Sequence, residues 1–571
     1  MGMKKFTFGT PEKIVPSKFC DKFNYTESNI SYDESNFTFK TTPSGCVVEF
    51  ILDGDEQVYG FGLQLKQFNH KNKKLKLQTN SDPMAATGDS HAPVPFFVTT
   101  KGYGMYFDTA RYVEAYCGFS KKTDRKAVGG GSVSVSTYEL YSKKENTEKT
   151  VMSVFIPAAA GIDIYVFEGK NILDVVSQYN MLSGGGCSVP EWGLGVLYRA
   201  YAKYTQDEVL SLAKHFRENS IPVDIIGLEP GWQTCSYSCS YVWDQQRYPD
   251  HKKLIRELRN NNFHINLWEH AFVHPSSPIY EPLKAYSGDY EVWNGLVPDF
   301  ADENGEKIFA DYHRKYLVDE GIDGFKLDEC DNSDFKDDSW SFPNISSFPS
   351  GLDGEQYHQL FGTLYMKTIL DALGDNPTLS EVRNAGALAA SYPFVLYSDL
   401  YDHKDFIRGT VNSGFSGLLW TPELRDAQSE KELIRRLQST VFSVQCLINA
   451  WYCEEMPWKE FDCEDKVRAL LEERQKLVPV LKAAFDDYHK TGKPPVRALV
   501  CDYTSDTQTY EIDDEYIFCD KYIVAPMTAE EDSRKVYLPQ GEWKDYWTGK
   551  PVSSGWFEVQ TDNIPVFEKV N

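Results

Sequence analysis

Histidine is scarce in this chain, 11 among 571 residues, and the twelve cysteines are scattered. The closest cysteine pair, Cys235 and Cys239 in "CSYSC", has no second pair and no histidines at zinc spacing beside it. No metal site is therefore expected, and free thiols in a reducing compartment are the simplest reading. No uncharged apolar run reaches the length a bilayer needs. The opening stretch "MGMKKFTFGTPEKIVPSKFC" holds no apolar signal core and no cleavage site. A soluble, cytoplasmic protein is expected. Positive charge is also short: 59 Lys and Arg against 84 Asp and Glu leave a net charge of -25 and a pI near 4.9. Such a surface repels phosphate backbones and anionic lipid, so neither nucleic acid nor membrane is expected as a partner. Homo-oligomerisation is compatible with it. No Gly-rich phosphate loop is present and no Ser-His-Asp spacing stands out. No cofactor is expected.

What the chain does have is length, aromatic side chains and carboxylates. Aromatics are 14% of residues and well distributed, which suits a globular chain. The length allows roughly three or four domains, or fewer if one is a large barrel. Over residues 1–185 the runs are short and alternating, as in "FTFKTTPSGCVVEFIL" and "SVSVSTYELY" with the turn cluster "VGGGSV" between such runs. That pattern predicts a β-sandwich. "SGGGC" and "VPEW" then read as a linker. From 186 to 490 apolar strands mostly alternate with helical stretches: "GLGVLYRA", "PVDIIGLEP", "FHINLWEH", "DGFKLDE", "TLSEVR", "PFVLYSD", "SGLLWTPE" and "QCLINAWY" are the eight strands. The alternation predicts an α/β fold, a (β/α)8 TIM barrel. Residues 491–571 return to short β runs, a small C-terminal β domain.

Barrel chemistry sits at the C-terminal ends of the strands. There the sequence places Tyr198 and Arg199, Glu229 and Trp232, Trp268, Glu269 and His270, then Lys326, Asp328 and Asp331. Glu381 and Arg383, Asp399, Trp420 and Glu423, and Trp451 and Tyr452 follow. In "GIDGFKLDECDNSDF" the residues Lys326 and Asp328 stand at i and i+2 of a strand and share one face. The pair reads either as a structural ion pair or as a catalytic carboxylate tuned by a cation. Paired carboxylates among aromatic rings are what glycoside cleavage needs: one acid protonates the leaving oxygen, the other attacks or activates water. A metal-dependent hydrolase is the competing reading, and it would call for more histidines than His270 and His403 supply.

At these residues the chain resembles glycoside hydrolase family 31 over nearly its whole length. "GIDGFKLDECD" resembles the family's nucleophile strand, "PSSPIYE" and "VPDFADENG" its connections after the third strand and before the next helix, "NSGFSGLLW" the run after its acid/base helix, and "PFFVTTKGYGMYFD" its N-terminal signature. The resemblance implies a retaining exo-α-glycosidase with Asp328 as nucleophile. It implies Asp399 as acid/base, ahead of Asp402, because the family places an arginine sixteen residues before that aspartate and Arg383 stands there. Glu229, Trp268, Trp293, Lys326, Arg383, Trp420, Glu423 and Trp451 are the expected sugar-binding residues. The chain departs from the family's α-glucosidases in Glu229, where many carry aspartate, in "TPELRDA" after strand seven, and in "NAWYCEEMPW", which lacks their histidine. Leaving a buried sugar hydroxyl without its hydrogen-bond partner costs about 1 to 3 kcal/mol. An α-galactoside-like, non-gluco substrate is therefore expected, with α-glucosidase, α-xylosidase and α-transglycosylase as alternatives of the same chemistry. A non-catalytic carbohydrate-binding protein is the alternative of another class.

Overall fold

A computed structural model describes residues 2–121, 150–333 and 341–570. The run 132–141, read above as a strand, lies outside them, as does the end of "GIDGFKLDECDNSDF" from residue 334 onward.

Among the described residues the N-terminal part is a sandwich of two five-stranded antiparallel sheets. One has the order Gly2–Thr10, Ala160–Glu168, Tyr103–Asp108, Pro93–Thr99, Val58–Gly62. The other runs Thr38–Thr42, Gly45–Ile51, Thr150–Pro157, Val113–Ser120, Lys74–Leu77. Side chains alternate across a strand, and the first sheet uses both of its faces. Phe97, Met105, Phe107 and Ile164 pack against Val48, Phe50, Val154 and Ile156 of the sister sheet. Their neighbours Phe96, Tyr106 and Phe167 point the other way, onto the helix Ile172–Leu182, where Phe96 stacks on Tyr179 with ring centroids 3.9 Å apart. That second face continues into the core of the central domain, so the sandwich is packed onto the barrel and not merely tethered to it.

The barrel strands are β1 (Val196–Arg199), β2 (Ile225–Leu228), β3 (His264–His270), β4 (Gly324–Asp328), β5 (Ser380–Val382), β6 (Phe394–Leu396), β7 (Glu423–Leu424) and β8 (Cys446–Asn449). They pair in parallel from β1 to β6, and β8 pairs with both β7 and β1. Leu396 closes the ring: its N–H donates to Leu419 O at 2.8 Å and its carbonyl accepts from Thr421 N at 3.1 Å. The outer helices are α1 (Gln206–Glu218), α2 (His251–Asn260), α3 (Glu303–His313), α4 (Gly354–Leu373), α5 (His403–Asn412), α6 (Glu430–Val441) and α7 (Glu464–Thr491). Their starts follow capping chemistry: Asp250, Asp353, Asp402 and Ser429 each accept a backbone N–H of the first turn. Helix α7 runs past Pro479 and stops at Gly492, whose φ of 74° suits a left-handed cap. No helix separates β5 from β6. Between β3 and α3 lies a hairpin that the strand pattern did not foretell, Ser287–Val292 with Gly295–Pro298. Trp293 and Asn294 form its two-residue turn, both at positive φ, the conformation such hairpins demand.

The C-terminal part is antiparallel: a six-stranded sheet in the order Val496–Ala498, Tyr516–Phe518, Tyr522–Val524, Val566–Lys569, Trp543–Asp545, Pro551–Val552, and the pair Ser533–Leu538 with Gly555–Gln560.

Candidate active site

Asp328 is the last residue of β4 and is 6% exposed. Its Oδ2 accepts the indole N–H of Trp268 at 2.7 Å, and its Oδ1 accepts the Glu329 N–H at 2.9 Å and Arg383 Nη1 at 3.2 Å. Trp268 stands on β3, in register beside Lys326, which is why its ring nitrogen reaches a side chain at the tip of β4. Lys326 does share a face with Asp328, but its Nζ sits 3.9 Å from Asp328 and nearer to Glu229, at 3.3 Å. The cation that holds Asp328 most closely is Arg383.

Arg383, at the end of β5 and 1% exposed, is spent on three carboxylates. Its Nε and Nη2 bond Asp331 Oδ2 at 3.1 and 3.0 Å. Its Nη1 bonds Asp328 at 3.2 Å and Asp399 Oδ2 at 2.5 Å. The guanidinium thus braces the acids, with all three of its nitrogens engaged. Two oxygens bonded to one nitrogen cannot be further apart than those two distances laid end to end. The nearest oxygens of Asp328 and Asp399 therefore lie inside the roughly 6.5 Å at which the carboxylate spacing of inverting glycosidases begins.

Asp399 differs from its neighbours in keeping 54% of its side-chain surface open. Burial of its surroundings pushes its carboxyl up, but Arg383, Arg425 and Lys326 outweigh that and hold it well below the usual carboxylate range. Asp402, the competitor for its role, is the N-cap of α5, its side chain accepting Asp405 N–H at 2.9 Å. Glu329, next to Asp328, is a non-glycine residue at φ 54°, a costly conformation outside special sites. Burial, reinforced by the charge of Asp328, pushes its carboxyl well above the usual range.

Below the mouth the barrel is polar. Arg199 on β1, fully buried, donates to Glu229 at 2.9 Å, to Asn266 at 2.7 Å and to Glu381. Gln445 donates to Glu381 at 2.8 Å. Tyr397 lies beneath two cations, with Lys326 Nζ 4.9 Å and the Arg383 guanidinium 5.4 Å from its ring. Its hydroxyl has no hydrogen-bond partner among the described residues. Glu423, 1% exposed, accepts from Arg425 and from Asn449 Nδ2 at 3.0 Å.

Not every expected residue reaches this cluster. Trp420 is 1% exposed; its N–H donates to Phe406 O at 3.1 Å and its ring packs against α5. With no face open it is a core residue and not a sugar platform. Trp451 is 38% exposed beside Tyr452 at the rim. Trp268 offers Asp328 its N–H and not an open ring. Tyr198 and Trp232 are core. Trp293 joins a group of rings with Tyr237, His270 and Phe272, its centroid 5.0 Å from Tyr237. Tyr237 itself was missed. It is 54% exposed and also leans on Trp268 at 5.6 Å, and so offers the open aromatic face that Trp268 and Trp420 lack. Arg425 was missed too; it stands just beyond β7, two residues after Glu423, to which its Nε donates. His91 had no signal at all: it comes from the sandwich and bonds Asp331 at 2.8 Å.

Comparison with known proteins bears on this arrangement. The profile described as "Glycosyl hydrolases family 31 TIM-barrel domain" matches residues 187–484. The family's C-terminal domain matches 492–571 and its N-terminal galactose mutarotase-like domain 18–115. Among curated proteins, an α-xylosidase of Emericella nidulans is 23% identical over 91% of this chain and 67% of its own length. An α-glucosidase of Saccharolobus solfataricus is 23% identical over 99% of this chain and 85% of its own. Among solved structures, a Flavobacterium johnsoniae dextranase complexed with glucose superposes with a TM-score of 0.78 at 20% identity, covering 94% of this chain and 68% of the other.

Proposed function

The chain belongs to glycoside hydrolase family 31, and from that premise we propose that it is a retaining exo-α-glycosidase. Asp328 attacks the anomeric carbon of a terminal sugar and forms a glycosyl ester as the C–O bond to the aglycone breaks. Asp399 delivers the proton to the departing oxygen, then takes one from the water that cleaves the ester. The observation that supports this reading is the sharing of Arg383 Nη1 by both carboxylates, which keeps their nearest oxygens inside the spacing at which an inverting pair begins. A carboxylate held low by Arg383 and Arg425 must gain a proton and leave the guanidinium before it can act as acid. Its half-open side chain leaves room for that rotation. Trp268 keeps Asp328 aimed, and Tyr237 and Trp293 form the aromatic wall for the sugar or its aglycone.

The substrate is an oligosaccharide or small glycoside whose terminal α-linked sugar is other than plain glucose, an α-galactoside in first place. Support comes from the polar set itself: Glu229 tied to Arg199 and Lys326, Glu423 tied to Arg425, and Asn449 on β8. The α-xylosidase and α-glucosidase relatives favour a second reading, the same chemistry on a xylo- or gluco-configured sugar. The reaction belongs in a reducing compartment, where the twelve free thiols persist.

A panel of nitrophenyl α-glycosides (galacto, gluco, xylo and N-acetylgalactosamino) tests the reading, with the first-formed sugar followed by NMR. Release of the α anomer and an inactive Asp328→Ala are expected. The β anomer as first product overturns retention. Absence of turnover on every sugar, with binding intact, points to a non-catalytic carbohydrate-binding protein.

A further inference from the structure

His91 belongs to the sandwich, yet its ring is fully buried at the barrel mouth. Nδ1 lies 2.8 Å from Asp331 Oδ2 and Nε2 lies 2.8 Å from Ser398 Oγ. Asp331, fully buried, puts that same oxygen on Arg383 Nε and Nη2. Ser398 immediately precedes Asp399, and its Oγ also accepts Leu400 N–H at 3.0 Å. The connectivity Asp331–His91–Ser398 is that of an acyl-transfer triad. Ser398 nevertheless has no exposed surface and its oxygen is committed to a backbone N–H, so no substrate carbonyl can reach it. What the ring does instead is join the two anchors of the carboxylate pair. One nitrogen holds the aspartate that orients Arg383; the other holds the backbone that presents Asp399.

We propose that His91 is a positioning residue for glycoside cleavage: through Asp331 it fixes the guanidinium that sits between Asp328 and Asp399, and through Ser398 it fixes the strand end that carries Asp399. The sandwich thereby completes the barrel's site. The inference rests on the glycosidase reading above. The orientation is over-determined at Arg383, whose three nitrogens meet three carboxylates, and a charged network of this kind loses geometry when one member goes. The groups that face it are Asp328, Glu329 and Lys326 from the β4 end, Tyr397 and Asp399 from the β6 end and Arg425 beyond β7.

The test uses the full chain with His91→Ala and His91→Asn, the second keeping an N–H for Asp331 but not the reach to Ser398. In His91→Ala kcat is expected to fall about tenfold to a hundredfold with KM nearly unchanged, the loss of a group acting on the reacting geometry. A loosened Arg383 also relaxes its hold on Asp399, so the alkaline limb of the kcat/KM profile moves to higher pH. His91→Asn is expected to recover part of kcat and to return the limb toward its original place. A lowered Tm with kcat and pH profile unchanged in His91→Ala makes the residue purely structural and overturns the inference, as does an Asn variant no better than Ala. Absence of turnover by the unaltered chain on every sugar of the panel instead brings down the glycosidase reading, whatever His91 does.

Discussion

Trp268 donates its indole N–H to Asp328 Oδ2 at 2.7 Å from the neighbouring strand. The expected nucleophile is thus held by an aromatic residue whose ring is itself closed to solvent. Trp268→Phe keeps most of the packed volume and removes only the donor. A hydrogen bond to an ionised group is worth about 1.5 to 3 kcal/mol, so kcat/KM is expected to fall about tenfold to a hundredfold. Steady-state kinetics on an aryl glycoside reads this directly. Unchanged kcat/KM assigns Trp268 to packing alone.

Asp399 and Asp402 separate by leaving-group dependence. Asp399→Ala should lose about a hundredfold or more on natural glycosides but far less on activated aryl ones, which leave without a proton. Added azide should yield an α-glycosyl azide. Asp402→Ala removes the α5 cap and should cost about 1 kcal/mol of stability with little effect on turnover. The reverse pattern moves the acid/base to Asp402.

Specificity is expected to run through Glu229. Its carboxylate is shared by Arg199 at 2.9 Å and Lys326 at 3.3 Å, so its orientation is fixed before a sugar arrives. A site built to bond one hydroxyl rejects its epimer because its own polar groups are left unpaired. Glu229→Gln should lower kcat/KM for the preferred sugar by about tenfold or more and for its epimer by clearly less. Equal losses on both sugars remove Glu229 from the discrimination.

Stability should depend on pH through Glu515 in the C-terminal domain. It is fully buried, accepting Tyr537 N–H at 3.1 Å and Arg534 Nη2 at 3.3 Å. Burial pushes its carboxyl up to about 8 despite Arg534. Between its ordinary value of 4.5 and about 8 the folded chain holds a proton that the unfolded chain has released. Stability therefore falls as pH rises through that window, by up to about 1.4 kcal/mol per pH unit from this group. Glu515→Gln, neutral throughout, should flatten Tm between about pH 5 and 8. An unaltered slope assigns the dependence to other groups.

The barrel and the tip of β4 were legible in the residue pattern. Strand and helix periods are local, so the eight apolar runs and most helices could be read where they stand. The placing of Lys326 and Asp328 on one face followed from the two-residue period alone. The partner that each strand-end charge takes was settled only by the folded chain. Lys326 turned to Glu229, Arg383 took three carboxylates, and Trp420 faced α5 and not the mouth, because ring closure and helix packing set those directions. Periodicity places a side chain on a face but does not say what lies across from it. Most remote from the sequence is His91: chain closure brings it within 2.8 Å of Asp331 across 240 residues, and no local pattern records a contact made by the docking of one domain on another.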